Sequence, residues 1–457
     1  MAIEPRMIGA SGFMPRPRRL LLTVCFISLA ILCWYRLSNI CLYGDCRPDP
    51  KFGSLRRQSV DLSKADSPFI GWPLQRVCME TPAWRPGIVF VCDNNSGGIG
   101  NIRNFILTCV RYAIEAGAAG LVLPQIMTRS EKDLSNIMMA PMGFDYFFDE
   151  KHFRQNLRAS CPHITIYNST SDIPHAPVPF KAERITPRNF GRRGGCDNRD
   201  LNKHTGLFGE QFQRHIWETA GEFKLPPPSI ESPRIIRFNW GVQWDWPVFR
   251  DGPEFAASFG GLLRFRKDIL DLGGKATAYM RQFAASQDKE PGSRNFVGIH
   301  LRTESDALTR WPNYDEQSGA YLKRAGSMEL KAAYLATGNK TEALKLATAA
   351  SAEHDIAVIT KHELLKDHAT DLAALEALTW DQQALIDFIV LLECDYFLGI
   401  SPSSFSMNVA LKRHLQADGL YTRPWKIGGS GDGRSWLVGK YEHYWDDWLF
   451  MFDSLWP

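Results

Sequence analysis

Gly87-Ile-Val-Phe-Val-Cys-Asp-Asn-Asn-Ser-Gly-Gly-Ile-Gly100 begins as a short apolar, β-branched run and ends in a glycine-rich turn. The run has the length and composition of a buried strand. Ile102 to Ala118 follows as a helix, because Ile106, Val110 and Ile114 recur at helical spacing. Gly120-Leu-Val-Leu-Pro124 is a second strand. Strand, glycine loop, helix and strand make a βαβ unit, which implies a parallel sheet.

The same alternation returns in the second half. Phe296 to Leu301, Lys331 to Ala336, Ile356 to Thr360 and Tyr396 to Ile400 read as strands. Thr341 to Ala352, Trp380 to Glu393 and Ser404 to His414 read as helices between and after them. Doubly wound sheets have this order. The expected fold is therefore α/β, with two Rossmann-like domains facing across a cleft. The middle is less regular. Ile164 to Tyr167 and Arg234 to Phe238 suit strands, Lys181 to His204 suits a basic loop, and Phe255 to Phe283 suits a helix interrupted at Gly273-Gly274. The expected domains are 85–290 and 291–457. The aromatic tail from Trp436 to Trp456 is expected to pack across the backs of these domains.

Outward from the folded part, the N-terminus has a different character. Leu20 to Tyr35 is an uncharged apolar run, preceded by Arg16, Arg18 and Arg19 and followed by Arg36. It is shorter than the usual spanning helix of about 20 residues, but flanking arginines and Trp34-Tyr35 can reach the interfaces. Trp34, Tyr35 and Arg36 stand where a cleavage site would need small residues. The preceding charge keeps the N-terminus cytoplasmic. These residues predict a cytoplasmic tail over 1–19, a signal-anchor over 20–35 and a stem over 36–84 rich in Pro, Arg, Asp and Ser. The rest would be lumenal, in the Golgi or endoplasmic reticulum. Eight cysteines follow the anchor, which suits disulfides in an oxidising compartment. Asn168-Ser-Thr and Asn339-Lys-Thr are glycosylation sequons. The net charge of +3 resides in the first 19 residues, so the remaining chain is formally neutral. That argues against nucleic acid as a partner.

Three segments carry candidate chemistry. Gly97-Gly-Ile-Gly-Asn101 lets a ligand approach the backbone, and the helix after it offers free N–H groups to an anion. A purely structural tight turn would use the same residues. His300-Leu-Arg302-Thr-Glu304-Ser-Asp306 places a guanidinium at a strand's C-terminal end, where open α/β sheets bind ligands. Its fork suits a diphosphate. An ion pair with Glu304 or Asp306 is the alternative use. Ser401-Pro-Ser-Ser404-Phe-Ser406 puts hydroxyls at a strand-to-helix turn, either for phosphate or with Ser404 as an ordinary helix cap.

Taken together these segments resemble the protein O-fucosyltransferase family, inverting enzymes of the GT-B fold that use GDP-fucose. The matching blocks are Gly98-Ile-Gly-Asn101, Val297 to Asp306, and the gapless stretch from Asp387 through Asp395-Tyr-Phe-Leu-Gly399 to Ser406. The resemblance implies that Arg302 contacts the β-phosphate, with Gly98, Gly100 and Asn101 near the diphosphate and fucose. It implies that His300 and Asp387 read the nucleoside, and that Ser403, Ser404 and Phe405 hold the phosphates from the other side. Glu304 stands where some members have Gly, and Trp311 to Gly326 is a long insertion. Both departures bear on the acceptor, a lumenal protein or glycan.

Arg302, with Glu304 and Asp306 as candidate bases, forms the expected catalytic set. No D-x-D triplet occurs, so no metal or other cofactor is expected. Two other readings use the same residues: a transferase for another nucleotide-sugar, and a non-catalytic lumenal protein that keeps the fold.

Overall fold

The structure is a computed structural model that describes residues 60–177, 182–187, 203–238, 244, 246–287, 294–307, 310–416, 431–444 and 446–457. The expected anchor over 20–35, the tail before it and the stem to residue 59 lie outside these residues. No described helix is long and apolar enough to cross a membrane.

Twelve strands are described. They are β1 Arg85–Val91, β2 Ala118–Val122, β3 Ile126–Met127, β4 Pro141–Met142, β5 Thr165–Tyr167 and β6 Glu183–Ile185. There follow β7 Arg234–Phe238, β8 Val297–His300, β9 Ala332–Ala336, β10 Ala357–Ile359, β11 Tyr396–Ile400 and β12 Ser435–Val438. Two five-stranded sheets result, with orders β5-β2-β1-β7-β6 and β10-β9-β8-β11-β12. All their pairings are parallel, and β3 and β4 form a separate antiparallel ribbon. The α/β reading and its alternating second half thus match the structure.

Central strands are apolar on both faces, as parallel sheets under helices require. Every residue of β8, β9 and β11 is buried. The helix after β1 runs Ile99–Glu115, three residues earlier than its expected start, and is buried almost all round. Its first turn enters the site described below. The long helix Lys267–Gln287 packs against Trp380–Leu392.

Several expectations are corrected. The helical stretch Phe255 to Phe283 does not break at Gly273-Gly274. It divides earlier, into Pro253–Ser258, a short 3-10 turn and Lys267–Gln287. Gly273 stands inside the helix as a packing residue, since a Cβ there would lie 2.6 Å from Ile389 Cδ1 of the packed neighbour. The basic loop expected over Lys181 to His204 contains edge strand β6, and the helix Lys203–Glu222 starts inside its end. Residues 60–84, expected in the stem, carry the helix Trp72–Glu80, whose Leu74, Val77 and Cys78 join the core. The tail is not only backing, since Ser435–Val438 adds β12 to the second sheet. Disulfides link Cys78 to Cys161 and Cys92 to Cys109, while Cys394 is free and buried.

Candidate active site

A cavity of about 400 Å³ opens at the C-terminal ends of strands from both sheets. It is lined by Gly97, Gly98 and Asn101 after β1, Arg302 and Glu304 after β8, Thr337 after β9, and Ser403 to Phe405 after β11. This is where doubly wound sheets carry ligands. The three segments singled out by sequence therefore converge on one place.

β8 ends at His300, so Arg302 and Glu304 lie beyond the strand, in the segment that follows its C-terminal end. The chain beyond it is held by a side chain instead. Arg302 N–H donates to Gln317 Oε1 at 3.0 Å, and Gln317 Nε2 donates to Arg302 O at 2.9 Å. The fully buried Gln317 amide thus pairs with Arg302 as a neighbouring strand would. Gln317 lies on the helix Tyr314–Gly326, within the supposed insertion, and sequence reasoning missed it. A glutamine in a first helical turn carries no signal of such a role by itself.

The Arg302 guanidinium is clamped by two carboxylates. Nη1 donates to Glu304 Oε2 at 2.6 Å and Nη2 to Asp306 Oδ1 at 2.7 Å. Glu304 also accepts from Gly338 N–H at 2.7 Å, and Asp306 pairs with Arg129. Burial opposes the charged forms, yet the mutual attraction exceeds it. Arg302 is held above its ordinary pKa, and Glu304 and Asp306 below theirs. All three are charged at neutral pH. The ion-pair alternative is therefore realised, and it does not displace the anion-binding one. Only two of the five guanidinium N–H groups are used by these bonds.

His300 is buried, and burial pushes its pKa down to about 4, so the ring is neutral. Its Nδ1 lies 2.7 Å from Ser406 Oγ, which itself accepts from Ile400 N–H at 3.1 Å. The Phe405 ring lies against it, centroids 4.6 Å apart. Ser406 is the missed partner that fixes the orientation of His300. Asp387 receives Tyr334 Oη–H at 2.7 Å and Lys361 Nζ at 2.8 Å. Lys361 and Asp387 both line the cavity.

The two glycines of the loop differ. Gly98 faces open space at the cavity. Gly100 does not line the cavity. A Cβ on it would lie 2.5 Å from the carbonyl carbon of Ser404 and 2.8 Å from Phe405 N. Its expected ligand role is therefore corrected to one of backbone approach, which brings the turns at 97–101 and 403–405 together. Ser404 is not the helix cap either, since Ser403 Oγ accepts from Ser406 N–H at 3.4 Å. Ser404 lines the cavity instead. Arg103, which replaces the third glycine of a dinucleotide fingerprint, is buried and donates to Asn408 Oδ1 at 2.7 Å and Gly260 O at 3.2 Å. It ties the two helices whose first turns face the cavity.

Across one cavity an α/β fold thus gathers turns with N–H groups, hydroxyls and a clamped guanidinium, groups whose chemistry suits a phosphorylated ligand. The chain belongs to the GDP-fucose protein O-fucosyltransferase family, whose sequence model matches residues 88–416, and it is a glycosyltransferase. No curated protein matches it. Among solved structures it is similar to POFUT1 in complex with GDP, at 14% identity over 78% of this chain and 100% of that one, TM-score 0.42. It is also similar to fucosyltransferase NodZ from Bradyrhizobium, at 15% identity over 72% and 93% of the chains, TM-score 0.35. A third is a variant of Arabidopsis thaliana FUT1 in complex with GDP, at 12% identity over 74% and 71%, TM-score 0.35.

Proposed function

We propose that the protein transfers fucose from GDP-fucose to a hydroxyl of a lumenal protein or glycan, with inversion, on a GT-B-like arrangement of its two sheets. The observation that carries this is the Arg302 guanidinium, fixed by Glu304 and Asp306 and facing the same cavity as Gly98, Asn101, Ser403 and Ser404. Breaking the sugar–phosphate bond leaves negative charge on the β-phosphate. A guanidinium already locked in place stabilises that charge without reorganising, as do N–H donors at the helix start Ser404–His414.

The sugar ring becomes electron-poor as the bond breaks, and the acceptor oxygen attacks from the opposite face. Glu304 and Asp306 are committed to Arg302 as carboxylates, so they can take the acceptor proton only if the clamp loosens. Family membership supports fucose and guanosine, and Asp387 is the residue assigned to the guanine edge. The transfer is read as metal-free because the sequence has no D-x-D triplet. Leu20 to Tyr35 is assigned as the anchor of a type II Golgi or endoplasmic reticulum protein.

A thermal-shift series with GDP, UDP, GDP-fucose and GDP-mannose tests the donor. GDP and GDP-fucose are expected to raise the melting temperature, and UDP is not. A protein unmoved by any guanosine nucleotide would overturn the assignment. Membrane fractionation after deletion of 20–35 tests the anchor, with release into the soluble fraction expected.

A further inference from the structure

Beside Arg302 the cavity has an aromatic corner that phosphate binding does not use. The Trp311 ring lies 5.8 Å from the Arg302 guanidinium carbon. Trp448 meets Trp311 edge to face, centroids 6.3 Å apart and planes at 86°. Arg310 covers Trp448 at 5.3 Å. Both indoles are half-buried and both line the cavity. Trp448 lies beyond residue 416, where the family match ends.

Two features of this corner work against stability. Trp448 has φ of +64°, the left-handed region that a bulky side chain enters only against steric strain. Glycine or asparagine would occupy that position without the same penalty. The Trp311 indole N–H is buried and has no hydrogen-bond partner among the described residues. A buried donor that has given up water without gaining a partner is destabilising. Core packing explains neither feature, because an apolar ring without N–H would pack as well. Strained residues and orphaned donors at a cavity wall are the pattern expected of a ligand site.

We infer that Trp311 and Trp448 form a pyranose subsite. A sugar ring has an apolar C–H face that an indole can cover and hydroxyls at its edge that an indole N–H can reach. The place fits, because a sugar joined to a phosphate on Arg302 must lie within about one ring's width of it. An acceptor sugar approaching the same carbon must enter from the adjoining wall. The inference rests on the nucleotide-sugar reading above, and the pyranose has two possible sources, the donor's own sugar and a sugar of the acceptor.

The full chain, Trp311→Phe and Trp448→Asn are titrated calorimetrically with GDP and with GDP-fucose. Methyl β-galactoside and methyl β-N-acetylglucosaminide are then followed by saturation-transfer NMR, with and without GDP. Phenylalanine keeps the ring and removes the orphan donor, and asparagine suits the left-handed backbone, so both variants are expected to melt no more than a few degrees from the parent. GDP affinity is expected to be unchanged in both. Should the donor's sugar occupy the corner, GDP-fucose loses about five- to tenfold of its affinity relative to GDP. Should an acceptor sugar occupy it, that ratio is kept and the glycoside signals disappear in the variants. Variants that keep both the ratio and the glycoside signals overturn the subsite, as does a parent chain that shows neither. Failure of GDP to bind the parent sinks the nucleotide reading instead, and the glycoside arm without GDP still decides the corner.

Discussion

At the scale of the residue, Arg302 shows how one guanidinium serves two interactions that looked exclusive. Glu304 and Asp306 hold it rigid and charged, and its remaining donors are left for an anion. Arg302→Lys keeps the charge and loses the fork, so both carboxylates cannot be bridged while a phosphate is held. The expected result is a fall of about 10²–10³ in kcat, read by steady-state kinetics with GDP-fucose. Near-normal turnover would make the clamp purely structural. Asp381, at the start of the helix Trp380–Leu392, behaves differently. Burial, with Glu131 adding to it, pushes its pKa from 3.8 up to about 6, against the pull of Arg129. Between these values the folded protein binds a proton that the unfolded chain has lost, so stability falls as pH rises through about 4 to 6. Asp381→Asn is expected to stabilise the protein by on the order of 2 kcal/mol at pH 7 and hardly at all at pH 4. Denaturant midpoints at the two pH values check this, and an equal gain at both would refute it.

At the scale of the element, Gly98 and Gly100 read alike in sequence and differ in space. Gly100→Ala forces a Cβ into the Ser404–Phe405 backbone, which cannot yield as a side chain can. A loss of about 2–4 kcal/mol is expected, with lower activity as the two turns separate. Gly98→Ala meets nothing within 4 Å among the described residues, and its stability is expected within about 0.5 kcal/mol of the parent. Chemical denaturation of both variants distinguishes them, and equal losses would mean that the contact is not close. Buried central strands such as Tyr396–Ile400 were legible because both faces are apolar. The edge strands β6 and β12 were not, since charged Glu183 and Arg184 or the lone buried pair Ser435 and Leu437 leave no such run. The arginine, hydroxyl and glycine segments of the site were legible as local patterns. Gln317, Arg103 and Trp448 were not, because their roles depend on which distant segments meet them. Gly273 was misread for the same reason, since only the neighbouring Ile389 explains it.

At the scale of the whole molecule, the question is whether two sheets make two folding units. One cluster of buried side chains runs from Ile88 and Phe90 of the first sheet to Tyr334 and Phe397 of the second. The contact of Lys267–Gln287 with Trp380–Leu392 carries part of it. Near the C-terminus, buried Trp456 packs on Phe255 and Phe259, with centroids 5.6 and 4.8 Å away. Its carbonyl accepts from Arg103, which also bonds Asn408 on the helix after β11. Trp456 thus supports the helical segment over 253–262 and, through Arg103, links the helix after β1 to the helix after β11. Cores joined in this way unfold together, because opening either sheet exposes the apolar surface of both. Trp456→Ala is expected to cost about 3–5 kcal/mol, the usual range for removing a large buried ring. More tellingly, the loss should appear as one shifted transition, with far-UV circular dichroism and tryptophan fluorescence still superimposing in denaturant. Two separated transitions in the variant would mean that each sheet folds alone. The cavity between them would then owe its shape to the ligand and not to the shared core.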